Sequence, residues 1–93
     1  MPDVDDFRAA LRAQIDRARR QGRPHIEVNA GELHRAVGGY PPKAGQSHAM
    51  PSCCNVMRVE MGDWRSEIIY EAASGHAAAL TIRYYLQRGE RDA

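Results

Sequence analysis

Long apolar runs are missing from this chain. No stretch of its 93 residues approaches the roughly 18 consecutive apolar positions of a membrane span. The first residues, MPDVDDF, are acidic and carry no basic-then-apolar leader. Both absences lead to the expectation of an intracellular, cytoplasmic protein without a membrane partner. Cysteine is scarce, and its two copies are adjacent, Cys53 and Cys54. A disulfide framework needs more cysteines at wider spacing, so the pair fits a reducing compartment. Net charge is nearly absent too: the formal total is +1, so no strong overall field marks a nucleic-acid binder. Lysine is reduced to Lys43 alone, against twelve arginines. Arginine suits bidentate contacts to phosphate and guanine, although the coding bias of a GC-rich genome explains the same skew. Phosphate-loop and dinucleotide signatures are also missing. GGYPPKAG holds glycines and a lysine, but without a strand before it and a helix after it.

What remains is the composition of one small soluble domain, 43% hydrophobic and 27% charged. Val4, Phe7, Leu11, Ile15 and Ala18 recur at three- and four-residue steps, which predicts an amphipathic helix over 3–21. Asp3, Asp5 and Asp6 sit at its positive end and Arg17, Arg19 and Arg20 at its negative end, where helix stability alone explains them. Gly22 can terminate it. HIEVN, residues 25–29, alternates as a short strand with Ile26 and Val28 on one face. Asn29 followed by Glu32 resembles a capping box and predicts a short helix over 30–37, with Leu33 and Val37 inward and Gly38 and Gly39 as stops.

Tyr40-Pro41-Pro42 is extended, because each proline restricts its predecessor. A loop through KAGQS leads to a third helix, starting near Ser47 to Pro51 and running to about Met61. On it Met50, Cys53, Cys54, Met57 and Met61 share one face, and His48, Ser52, Asn55 and Val59 the other, with Arg58 beside them. Tyr40 either packs over the core or stands out as a binding aromatic. Gly62-Asp63 breaks the pattern, and WRSEIIYE and AALTIRYYL then alternate as two strands. Trp64, Ile68 and Tyr70 line one face of the first; Leu80, Ile82, Tyr84 and Leu86 line one face of the second. A hairpin over 64–86 centred on Gly75 sets Ile68 opposite Ile82 and Tyr70 opposite Leu80. The core should join Leu11, Ile15, Leu33, Val37, Met57, Trp64, Ile68, Leu80 and Ile82.

Catalytic and metal chemistry find few footholds. A zinc site would draw on His34, His48, Cys53 and Cys54, but neighbouring helical cysteines diverge by about 100° and rarely share one ion. As small packing residues in a Met-rich face they need no metal. A cysteine nucleophile would need a thiolate and a nearby base; His48 faces away from both thiols, although His34 could approach, and burial would leave them inert. Glu27, Glu32, Glu60, Asp63, Glu67 and Glu71 are scattered over capping, turn and strand positions. The expectation is therefore no enzyme, no cofactor and no metal.

The order helix, short strand, helix, loop, helix, two-stranded hairpin resembles the winged-helix variant of the helix-turn-helix over about residues 3–88. The resemblance implies an α+β fold, with three helices, a short strand and a C-terminal wing hairpin in a single domain over 1–93. It implies double-stranded DNA as partner, the third helix (about 48–61) in the major groove and the hairpin as wing. The connection of about ten residues before that helix is longer than a simple helix-turn-helix uses. A second resemblance, carried by ELHRAVGGYPPKAGQSHAMPSCCNVM, is to small bacterial domains found alone or beside HNH-type nuclease and restriction-like modules; no nuclease motif is present here. On the first resemblance Ser52, Asn55 and Arg58, with His48, face the DNA, since Asn pairs with adenine and Arg with guanine. Lys43, Gln46 and Ser47 reach phosphates from the loop, and Arg65, Arg83 and His76 contact backbone or minor groove as the wing. Winged helices also serve as protein-interaction or dimerisation adaptors, which is the alternative; a small thiol or metal protein using Cys53 and Cys54 is a third.

Overall fold

The computed structural model describes residues 3–38, 50–71 and 78–86. Helix α1 spans Val4–Arg20, strand β1 His25–Asn29 and helix α2 Ala30–Val37. Helix α3 spans Met50–Glu60 and passes into a 3-10 turn, Met61–Asp63. Strands β2, Arg65–Tyr70, and β3, Thr81–Tyr85, follow. The architecture is α+β: three mutually packed helices against a three-stranded antiparallel sheet in the order β1-β3-β2.

Local chemistry sets the helix ends. The Asp3 side chain accepts from the Asp6 N–H and the Asp6 side chain accepts from the Asp3 N–H, both at 3.0 Å, a reciprocal cap that opens α1. Gly22, at φ +75, takes the left-handed turn after α1 that an L side chain resists. The Asn29 side chain accepts from the Glu32 N–H at 3.0 Å and opens α2 as expected. The Glu32 carboxylate, however, accepts from Arg35 at 2.9 Å, where a full capping box would turn it back to Asn29.

The short strand joins the hairpin as a third strand: β1 pairs along β3, with Val28 opposite Ile82 and His25 opposite Tyr85. That pairing satisfies the backbone edge of β3 that a lone hairpin would leave open. Ile68 does face Ile82, but Tyr70 faces Thr81, not Leu80, because the register shifts between Ile68 and Tyr70. One extra residue turns every later side chain over, so Tyr70 lies 56% exposed on the outer face.

The core collects Phe7, Leu11, Ile15 and Ala18 of α1, Leu33 of α2, the inner face of α3, and Val28, Ile82 and Tyr84 of the sheet. Leu11, Ile15, Leu33, Met57, Leu80 and Ile82 are buried, while Val37, Trp64 and Ile68 pack against them half-buried. Val4, placed inward by periodicity, is 40% exposed in the first turn of α1. His34 is fully buried, its ring edge-on to Phe7 with centroids 4.9 Å apart.

Candidate nucleic-acid interface

Helix α3 is held on its inner stripe at each turn. The Cys53 thiol donates to the Ala30 carbonyl at 3.5 Å, tying it to α2. The Tyr84 hydroxyl donates to the Met57 carbonyl at 2.8 Å, tying it to β3. Glu60 accepts from Arg12 Nε at 3.2 Å and from Trp64 Nε1 at 3.1 Å, tying it to α1 and to the start of β2. Positions 53, 57 and 60 follow the i, i+4, i+7 rhythm of one helix face. The opposite stripe is therefore fixed in direction: Pro51, Asn55, Val59 and Gly62 are exposed and Ser52 is half-buried.

Burial decides the chemistry of the cysteines. Both are unoxidised and fully buried. Desolvation, with the neighbouring Cys54 adding to it, pushes the Cys53 thiol up to about 12. Desolvation raises Cys54 as well, with Arg58 pulling the other way. A thiol so protonated is a poor nucleophile and a poor metal ligand. No group of three or more His, Cys, Asp or Glu side chains able to hold a metal ion occurs among the described residues. Within those residues no helix is long and apolar enough to cross a membrane.

The other residues singled out from sequence are not gathered in one place. Arg58 lies beside the α3 stripe, but donates to Glu71 at 3.1 Å, just past the end of β2. Arg65 and Arg83 lie on the outer face of the sheet, near the foot and the middle of the hairpin rather than at its tip. Arg83 is held between two carboxylates: Nη2 and Nε reach Glu27 at 2.6 and 2.9 Å, and Nη1 stands 3.7 Å from Glu67. Arg83 Nη1 also donates to the Tyr85 hydroxyl, which in turn donates to Glu67. The Arg65 guanidinium stacks 5.2 Å from the Tyr85 ring centroid. Lys43, Gln46, Ser47, His48 and His76, like Tyr40, lie outside the described residues.

Glu60 was hidden among the scattered carboxylates. It is only 5% exposed and lies beneath a cleft of about 510 Å³ lined also by Arg12, Asp16, Arg19, Asp63 and Trp64. Its spacing from Cys53 and Met57 is the signal that points it inward. With both oxygens bonded, it clasps the helices together. Compared with protein-family models, curated proteins and solved structures, the chain matches none.

Proposed function

We propose that this chain is a small, non-catalytic winged-helix domain that binds double-stranded DNA, with α3 in the major groove. The observation that carries the proposal is the contrast between the two faces of α3. Three bonds to three other elements immobilise the inner stripe, while the outer stripe keeps Asn55 and Val59 exposed, Val59 at 70%. A groove-reading helix needs such rigidity, because base-edge hydrogen bonds demand fixed side-chain origins. Asn55 and Val59, one turn apart, match an adenine edge and a thymine methyl, so the stripe favours A·T pairs. Arg58 reaches a guanine only by leaving Glu71. That partly exposed pair, with side chains 29% and 42% exposed, costs at most about 1 kcal/mol to open. Arg83, held by Glu27 and Glu67, cross-links the sheet in this assignment and makes no phosphate contact.

The test is duplex selection followed by binding measurements on the native protein and Asn55→Ala. The variant should lose about 1–3 kcal/mol on the selected site and relax its A·T preference. Equal affinity and equal preference in both proteins would reject α3 as the reader. One observation favours the protein-interaction adaptor as a second reading: Ile69, Tyr70 and Val59 expose apolar surface on either side of the Arg58–Glu71 pair. Under that alternative, Val59→Ser or Tyr70→Ser would weaken association with a protein partner or a second copy, and DNA would not bind.

A further inference from the structure

Charge in this protein is sorted by position, and the sorting is invisible in a net total of +1. Every described Asp and Glu outside the Asp3–Asp6 cap has an arginine partner within 4 Å. Four arginines, Arg17, Arg19, Arg23 and Arg65, pair with no carboxylate among the described residues. Three of them, Arg19, Arg23 and Arg65, are placed by their neighbours. The Arg19 guanidinium lies 5.8 Å from the Trp64 ring centroid, and Trp64 precedes Arg65 in the chain. Arg65 lies over Tyr85, whose ring stands 6.2 Å from that of His25. Leu86, next to Tyr85, donates its N–H to the Pro24 carbonyl at 2.9 Å, and Arg23 donates its N–H to Ala18 at 3.1 Å, leading back to α1. The backbone path closes around one end of the molecule, where α1 ends, β1 begins and β2 begins, with Arg19 on the helix side of the sheet beside Trp64 and Arg65 on its outer face over Tyr85.

We infer that this arginine rim is a binding surface for the phosphate backbone of duplex DNA, separate from the exposed stripe of α3. The negative end of the α1 dipole explains Arg17 and Arg19, but it does not reach Arg23 or Arg65, which lie off the helix. Unpaired guanidiniums carry no ion-pair cost on meeting a phosphate, and their planar fork matches phosphate oxygens bidentately. Neutralising phosphates also releases condensed counterions, a gain that clustered cations obtain together. A membrane fits less well: among the described residues the large exposed apolar side chains, Val4, Val59, Ile69 and Tyr70, lie away from the rim.

The measurement is the salt dependence of affinity for a short mixed-sequence duplex, using the whole chain. Arg23→Gln/Arg65→Gln removes the two cations that helix stability does not require. Two lost phosphate contacts at ~0.9 each should lower the slope of log K against log salt by about 1.8, so that between about 50 and 200 mM salt the variant loses roughly twelvefold less affinity than the native protein. Arg8→Gln/Arg35→Gln changes net charge equally but removes arginines already paired with Asp5 and Glu32, and should keep the native slope. Arg23→Lys/Arg65→Lys should restore the slope and guards against misfolding of the glutamine variant. An unchanged slope in the rim variant, an equal loss in the paired-arginine control, or no binding by the native protein at low salt overturns the inference. Polyglutamate or anionic lipid vesicles binding the rim as tightly as duplex would overturn the assignment to DNA. The rim does not rest on α3: Asn55→Ala alters sequence preference, whereas the rim variant alters salt slope, so either can fail alone.

Discussion

Raising the pH from about 8 to about 11 should weaken the fold through Cys53. The thiol sits fully buried on the inner stripe of α3, and its pKa rises from 9.0 to about 12 on folding. Below pH about 9 both the folded and the unfolded chain hold the proton, and the stabilisation is fully present. Between about 9 and about 12 the unfolded chain releases the proton while the folded chain keeps it, so stability falls as pH rises. Each pH unit in that window costs about 1.4 kcal/mol, and at pH about 11, two units in, Cys53 alone costs about 2.7 kcal/mol. This is a large share of the ~5–15 kcal/mol that holds a typical domain. Cys54 and Tyr84 are raised in the same direction by burial and add to the loss. Comparison with Cys53→Ala isolates the one group. Urea unfolding followed by Trp64 emission, under reductant at both pH values, should show the variant losing about 2.7 kcal/mol less than the native protein. An equal alkaline loss in the two proteins would refute the assignment of a buried, protonated thiol at this position.

Two further changes probe the ties that fix α3. Tyr84→Phe removes the hydroxyl donated to Met57 and should lower stability by about 1 kcal/mol at neutral pH in urea unfolding, with little change in the dependence on urea; an unchanged midpoint would mean that the sheet does not brace the helix. Glu60→Gln keeps the shape of the clasp but can no longer accept from both Arg12 and Trp64, and should cost about 2 kcal/mol with a shift in Trp64 emission; neither effect would appear if Glu60 were solvated.

Elements governed by their own residues were legible in the sequence. Strand β1 and helix α2 begin and end where alternation, the Asn29 cap and Gly38 place them. The Ile68–Ile82 register followed from matching apolar faces. Features that depend on distant partners were not legible. The extra residue near Ile69 lies within an apolar pair that alternation alone cannot phase, so strict alternation sets Tyr70 inward where the structure sets it outward. The β1–β3 pairing joins segments more than fifty positions apart, and no local signal specifies it. Arg83 read as an available cation because its acidic partners, Glu27 and Glu67, come from the flanking strands only once the sheet forms. Conversely, the arginines that pair with no described carboxylate stand out only once the ion pairs of the folded chain have formed. For the cysteines, helical spacing sufficed, because a residue on the inner stripe of a packed helix is buried whatever surrounds it.

The central claim is that the outer stripe of α3 meets duplex DNA. Amide chemical shifts of the labelled protein, followed while duplex is added at low salt, test it residue by residue. The account predicts the largest changes at Ser52, Asn55 and Val59, with a second group at Arg23 and Arg65, and small changes along Cys53, Met57 and the buried faces of the sheet. Shifts that spare α3 altogether, or a spectrum that duplex leaves untouched, would contradict it.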